Sequence, residues 1–479
     1  MTQPPLWTTE ALARAMGGRI LGKPGPAITD ISIDTRTLNA GEAYVAIKGL
    51  AHDGHAFAGA ALEKGASVAV VSEDWAQSAP PGAYIAVADP LKALEKAGIV
   101  ARARTAAKIV GITGSVGKTS TKETLARVLA REGRTHAPPK SFNNHIGVPL
   151  TLARMPAGAE FGVFEIGMNH AGEITPLTRM VRPDVAVITA IEAVHIENLG
   201  SIEAIADAKA EIFVGVEHGG VAVLPRDNRF YERLAKAARA AGIDTIVSFG
   251  EHEEADVRLM RIVLAAECST VSARVMGTDV TYKFGAPGKH LAMNSLAVLA
   301  AAKLVGCDLA LAALSLGETR AVAGRGEKSL RRLPSGSFTL LDESYNANPV
   351  SVRAAISVLA GAPKGPQGRR IVVLGDMLEL GNDAERLHAE LAEPIDKGNI
   401  DLVFCSGPMM RHLWDRLPSH RRAGYAPTAA ELEPLVIRGL KPGDVVMVKG
   451  SRGSRMAPLV ETLKATYEAV PAEDLQGAT

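Results

Sequence analysis

Gly114-Ser115-Val116-Gly117-Lys118-Thr119-Ser120 is the stretch of this 479-residue chain whose residue types and spacing could do the most chemistry. Glycines let backbone N–H groups face a bound anion, and a lysine followed by a hydroxyl can reach terminal phosphates and a Mg²⁺. The full G-x-x-x-x-G-K-[ST] pattern needs glycine where Ile112 stands, so only the short form Gly114-x-x-Gly117-Lys118-Thr119 is present. The plain alternative is a Gly-rich turn with a solvated lysine. The flanks favour nucleotide binding: an apolar β-prone run precedes the loop. A helical pattern over 117–131 follows, with Leu125, Val128 and Leu129 on one face, closed by Gly133.

Two more residues are polar where the pattern is apolar. Glu165 interrupts the run 161–167, where an unpaired carboxylate is costly; a Mg²⁺ would compensate it, as would a helix cap or an arginine. Lys209 falls on the apolar face of a predicted helix over 201–216, with Ile202, Ile205, Ala206, Ile212 and Phe213. Burial favours a neutral amine, which reacts with CO₂ to give a carbamate suited to a hard cation. Snorkelling to solvent is the competing reading. His195, in the loop after the run 184–190, is a weaker candidate because loop histidines are usually just exposed.

The chain is too long for one ordinary core and suggests three units. Residues 31–87 alternate short strands with Ala-rich helices, and a helix over 91–104 leads to a boundary near Ala106. The central region repeats strand and helix through 161–167, 184–190 and 220–224, which implies a parallel sheet covered on both faces. Ligands in such sheets sit at the carboxyl ends of the strands, where the P-loop, Glu165 and His195 all fall. Residues 261–284 read as strands with turns, a helix follows over 288–304, and then an Ala-rich segment over 309–316. Gly324 to Gly326 reads as a hinge into a third alternating unit, Rossmann-like, with strands at 338–342, 370–376, 401–405 and 444–450. Its last turn, 449–455, is basic and Gly-rich, a candidate anion contact. The expected organisation is therefore α/β with three domains: a small N-terminal α/β module (1–105), a central P-loop parallel-sheet ATPase domain (106–323) and a C-terminal Rossmann-like domain (324–479).

Composition narrows the partners. A net charge of +1 from 53 basic and 52 acidic residues gives no electrostatic case for nucleic acid or a membrane surface. Cys268, Cys307 and Cys405 are widely spaced, forming neither a disulfide framework nor a metal pattern, which suits a reducing compartment. No stretch reads as a membrane span or an apolar leader. The expectation is a cytoplasmic enzyme of small molecules, a monomer.

Four longer stretches carry a resemblance: Ser141-Phe142-Asn143-Asn144-His145-Ile146-Gly147-Val148-Pro149, Glu165-Ile166-Gly167-Met168-Asn169, Asp342-Glu343-Ser344-Tyr345-Asn346-Ala347-Asn348-Pro349 and Gly375-Asp376-Met377-Leu378-Glu379-Leu380-Gly381. With the short P-loop they resemble the Mur ligases, the ATP-dependent amino-acid and peptide ligases of peptidoglycan precursor synthesis. The resemblance implies joining of D-alanyl-D-alanine to UDP-N-acetylmuramoyl-tripeptide through an acyl phosphate. A sibling ligase adding a single amino acid, or a P-loop regulator without ligase activity, is the alternative. It further implies that Gly114, Ser115, Val116, Gly117, Lys118, Thr119 and Ser120 hold ATP with Asn294, Arg325 and Asp342, the last at the ribose. Thr119 and Glu165 would bind one Mg²⁺, and His195 with a carbamylated Lys209 a second. Ser32, Arg36, Lys48 and His55 are candidates for the uridine diphosphate, and Asn143, Asn144, Asn346 and Asn348 for the remaining substrate contacts.

Overall fold

The computed structural model describes residues 5–49, 52–194 and 196–470; His195 lies outside the described residues. Among the described residues three large sheets follow one another along the chain, and a two-stranded antiparallel ribbon, Trp7–Thr8 with Ala27–Ile28, accompanies the first. The first has five strands in the order Arg19–Leu21, Tyr84–Val87, Val68–Ser72, Ala43–Val45, Ile31–Ser32, all parallel except the first. The helix Pro90–Ala103 then leaves it, started by Asp89, whose carboxylate accepts from the Leu91 and Lys92 amides, with proline at its first turn. Gly98 lets that helix lie against Gly147–Ala153, since a Cβ there would stand 3.1 Å from the Pro149 carbonyl. Leu94, Ala97 and Ala101 consequently share a core with Leu150 and Ala153 of the central unit. The sequence boundary near Ala106 is thus crossed by packing.

The central sheet has nine strands in the order Thr278–Phe284, Ser269–Val275, Val257–Leu264, Thr245–Gly250, Val221–Pro225, Val185–Ile188, Lys108–Thr113, Phe161–Glu165, Thr135–His136. It is parallel from Thr135–His136 to Val257–Leu264. Helices Lys118–Leu129, Lys289–Leu304 and Leu309–Leu316 fill one face, and Gly147–Ala153, Ile174–Val181, Ile202–Ala210 and Tyr231–Ala240 the other. Continuous Val/Ile/Ala strands suit this burial on both sides. The last three strands are antiparallel to one another, and Ser269–Val275 alternates buried with accessible residues. The sequence read only the later part of this ribbon. The helix expected over 201–216 is α-helical only through Ala210 and tightens to 3₁₀ at Glu211–Gly215. There the Glu211 carboxylate accepts from the Gly172 and Thr175 amides at 2.6 and 3.0 Å, and Gly215 abuts the Thr178 carbonyl.

The third sheet has six strands in the order Glu327–Leu333, Gly336–Glu343, Val445–Lys449, Arg370–Gly375, Leu402–Ser406, Arg422–Ala426, parallel except the first, with a core on each face. Among the described residues no helix is long and apolar enough to cross a membrane.

Candidate active site

Strand Lys108–Thr113 lies between Val185–Ile188 and Phe161–Glu165, so the direction of the crossovers reverses at its carboxyl end. A crevice opens at such a point. A cleft of about 1200 Å³ lies there, between the central sheet and the C-terminal unit. The P-loop forms its floor. Gly114 has φ +145°, and a Cβ on it would stand 2.0 Å from Thr189 Oγ1; Gly117 has φ +85°, and a Cβ would meet Asn294 Nδ2 at 2.6 Å. Glycine is required at both. Thr189 Oγ1 donates to the Val116 carbonyl at 2.6 Å, and the Ser115 amide donates to Ala190 O at 2.8 Å, so segment 189–190 clamps the loop. Ser120 closes the first turn on Gly117 O at 3.0 Å. The helix Lys118–Leu129 begins at Gly117 without a side-chain cap, leaving first-turn amides to face an anion.

The charges are arranged for one. Lys118 Nζ donates to the carbonyls of Gly114 (2.7 Å) and Ser115 (3.4 Å) and has no carboxylate within ion-pair reach among the described residues. Burial lowers its proton affinity and the Arg325 charge lowers it further, against the pull of Glu165. Lys209 is 1% exposed and has no hydrogen-bond or ion-pair partner among the described residues. Burial first, then the Lys118 charge, hold it well below the ordinary lysine range. The inward aim read from helical spacing is therefore seen, and snorkelling is not. Lys118 and Arg325 both line the cleft and leave positive charge there that a polyphosphate would complete.

Glu165 is 1% exposed at the end of its strand. Its Oε2 accepts from Thr119 Oγ1 and its Oε1 from Asn143 Nδ2, both at 2.8 Å, and Ser141 Oγ stands 2.9 Å from Thr119 Oγ1. Neither a helix cap nor an arginine compensates this carboxylate; two neutral donors do. Among the described residues no three His, Cys, Asp or Glu side chains converge as a metal cage. A carboxylate and a hydroxyl beside a phosphate cradle instead fit Mg²⁺, which takes one or two protein oxygens and completes its shell with water and phosphate.

Other sequence candidates divide. Asn294 and Arg325 line the cleft, and the Arg325 guanidinium stacks 4.0 Å from the centre of the Tyr345 ring. Asp342 does not line it: its Oδ1 accepts from Ser344, and its Oδ2 takes Lys464 Nζ at 3.1 Å, which occupies the carboxylate expected at a ribose. Asn143, Asn144, Asn346 and Asn348 all line the cleft. Asn144 also accepts from the Gly147 amide at 2.9 Å, and Asn348 caps Pro349–Gly361. Ser32, Arg36, Lys48 and His55 lie outside the cleft. His55 takes Asp53 on Nδ1 (2.6 Å) and the Ser72 amide on Nε2 (2.9 Å), so its ring is fully engaged. Arg36 forks onto Asp34, whose carboxyl it holds down at about 2, and Ser32 bonds the backbone of Asp34. Lys48 is exposed. In the basic turn Lys449 and Arg452 line the cleft and Arg455 does not; Lys449 is buried against Glu343 (3.2 Å) and Asn346 O (3.0 Å).

Sequence reasoning gave no role to Thr189, Tyr345 or the Glu343–Lys449 pair. Thr189 could have been found as the residue at the carboxyl end of a strand beside the P-loop strand. Glu343 and Lys449 face each other only because their strands pair in register, which nothing local encodes.

Comparison with known proteins agrees with this geometry. The Mur ligase family, catalytic domain model matches residues 27–88, the Mur ligase middle domain model 112–302, and the Mur ligase, glutamate ligase domain model 330–452. The UDP-N-acetylmuramoyl-tripeptide–D-alanyl-D-alanine ligase of Bacillus subtilis is 34% identical over 441 residues, covering 91% of this chain and 93% of the relative. The chain belongs to the Mur ligase family. Among solved members, MurF from Acinetobacter baumannii superposes with a TM-score of 0.81 at 29% identity, over 95% of this chain and 98% of that one. The Thermotoga maritima MurF ligase in complex with ADP gives 0.73 at 25% identity, over 91% and 97%. As a Mur ligase the protein is an ATP-dependent ligase acting on small-molecule substrates, and its three-domain α/β architecture is that of the family.

Proposed function

We propose that this Mur ligase joins D-alanyl-D-alanine to the terminal carboxylate of UDP-N-acetylmuramoyl-tripeptide, with ATP converted to ADP and phosphate, in the cytoplasmic stage of peptidoglycan synthesis. The observation that carries the reading is the cleft in which a phosphate cradle, Lys118 without a carboxylate partner and the buried Glu165 face the C-terminal stretch 343–355. The relatives named for this reaction support the choice of substrates.

A carboxylate is a poor acyl donor. Its oxygen attacks the γ-phosphorus of ATP, the bond to the β-phosphate oxygen breaks, and an acyl phosphate and ADP result. The amine of the dipeptide then adds to the acyl carbon, a proton leaves the nitrogen, and phosphate is expelled. Lys118 and the amides of residues 116–119 would hold the β- and γ-phosphates and meet the charge that grows on the phosphoryl oxygens. Mg²⁺, held by Thr119 and Glu165, would supply further neutralisation there. We assign Lys209 a carbamate, formed when its neutral Nζ adds to CO₂ and releases a proton, as ligand with His195 to a second ion. Asn294 and Arg325 would flank the nucleotide. In this reading residues 1–105 bind the uridine diphosphate, with Ser32, Arg36 and Lys48 as its contacts and His55 as their support. Residues 106–323 carry ATP, and 324–479 bring the dipeptide and exclude water around the acyl phosphate by closing at Gly324–Gly326. The working unit is a monomer.

The test is phosphate release from ATP with UDP-N-acetylmuramoyl-tripeptide, run with and without D-alanyl-D-alanine. Release that needs both is the expected result. Release that ignores the dipeptide, or that needs a single amino acid instead, overturns the assignment.

A further inference from the structure

Lys122 stands one turn beyond Thr119 on the same face of the helix Lys118–Leu129, and it is wholly buried. Its Nζ has three acceptors: Glu123 Oε1 at 2.5 Å, Pro138 O at 2.7 Å and Lys140 O at 3.4 Å. Two of the three are carbonyls of the irregular segment between Thr135–His136 and Gly147–Ala153, whose backbone groups lack a ladder of their own. The same segment carries Ser141, 2.9 Å from the Thr119 hydroxyl, and Asn143, which donates to Glu165 at 2.8 Å. It is pinned at its far side by the Gly167 amide on Asn143 O at 2.8 Å. Lys122 therefore fixes the near side of a strap whose two side chains orient both cation donors.

A purely structural account does not explain a lysine here. Burying an ammonium is costly, and an apolar side chain of the same length would fill the space at less expense in stability. What an apolar chain cannot do is hold two carbonyls at a set distance from the helix. We propose that Lys122 is a positioning residue for the nucleotide-linked cation: through Pro138 and Lys140 it sets the strap that aims Ser141 at Thr119 and Asn143 at Glu165. The inference rests on the reading that Thr119 and Glu165 hold that cation.

The test is binding of Mn²⁺ to the ADP complex, followed by electron paramagnetic resonance, alongside binding of ADP without metal by calorimetry. In the parent protein Mn²⁺ binds the ADP complex more tightly than it binds free ADP; if it does not, the cation reading itself fails, whatever Lys122 does. Lys122→Met is expected to weaken Mn²⁺ binding by about tenfold, the size seen when support to a metal ligand is removed. Metal-free ADP affinity should change less than about twofold, because the P-loop is clamped separately by Thr189 and Ala190. Unchanged Mn²⁺ affinity overturns the proposal, and so does a parallel loss of both affinities, which is what general loosening would give. Should Lys122→Met not fold, Lys122→Arg carries the test. It keeps the charge and the Glu123 partner but alters the reach to the two carbonyls. A selective fall in Mn²⁺ affinity supports the role, and none overturns it.

Discussion

The two walls of the cleft treat their lysines in opposite ways. On the central side half-buried Lys118 and enclosed Lys209 have no carboxylate partner, and both are pushed toward the neutral form. On the C-terminal side Lys449 is enclosed but is saturated by Glu343 and Asn346. A buried cation with its partners is a fastening between strands Gly336–Glu343 and Val445–Lys449. One without them is incomplete until a ligand arrives. The difference separates the part of the cleft that binds from the part that is built.

The largest effects should fall on the incomplete side. Lys118→Ala or Glu165→Ala is expected to lower kcat/KM by roughly a hundred- to a thousandfold, the range for removing one pre-set electrostatic group, with circular dichroism unchanged. Phosphate release in the presence of both substrates measures it. A variant within tenfold of the parent would break the contrast between the walls.

Lys209 sharpens the contrast because function and stability should move apart. Lys209→Ala should lose activity on a similar scale and regain part of it with added acetate, a substitute for the carbamate. Lys209→Met, in CO₂-free buffer, should unfold later than the parent. The lysine is held well below its ordinary 10.5, so between that depressed value and 10.5 the unfolded chain binds the extra proton and the parent's stability rises with pH. Methionine removes that slope and should raise the thermal midpoint by about 2–4 °C, the shift produced by about 1 kcal/mol. A lower midpoint would mean that Lys209 is already satisfied in the folded chain.

How much of this was legible in the sequence follows from how local each signal is. The P-loop, the strand that ends in Glu165 and the inward Lys209 are each specified within one turn or one strand, and spacing read them. The alternating strands likewise gave three α/β units, because apolar runs buried on both faces need no distant partner to be recognised. Arg36 and His55 looked free because their partners, Asp34 and Asp53, stand only two residues back, where a side chain folds onto its own turn. The partner of Asp342 was hidden for the opposite reason: Lys464 comes from 122 residues away. No periodicity carries that distance, nor the register that sets Glu343 against Lys449.

The fastened wall gives the next effect in size. Lys449→Met leaves the Glu343 carboxylate, 20% exposed, without its ammonium. The cost should be about 2–3 kcal/mol by denaturant unfolding, below the usual figure for a wholly buried pair because water still reaches Glu343. ADP affinity should stay within about twofold, since the P-loop is untouched. A large loss of ADP binding with little loss of stability would reverse the assignment of the two walls.

His136 sets the limit of the rule and gives the smallest effect. It too is an enclosed base without a carboxylate, beside the Phe164 ring, and burial pushes it from 6.5 to about 4. Yet it lies outside the cleft, and its Nε2 stands 2.7 Å from Thr151 O. Lack of a carboxylate therefore marks a ligand site only where a cleft reaches the base, as it reaches Lys118 and not His136. The thermodynamic sign is fixed by the shift. Between about pH 6.5 and 4 the unfolded chain binds a proton that the folded chain refuses, so stability falls as pH falls through that window and levels off below it. The nearby Arg154 charge acts in the same direction, and the Thr151 carbonyl against it. The full shift would be worth about 3 kcal/mol, and partial solvent access reduces the expected contribution to about 1–2 kcal/mol. Thermal midpoints of the parent and of His136→Gln across this window measure it. The variant should lose less stability on acidification, and equal slopes would show that His136 accepts its proton in the folded chain as readily as in the unfolded one.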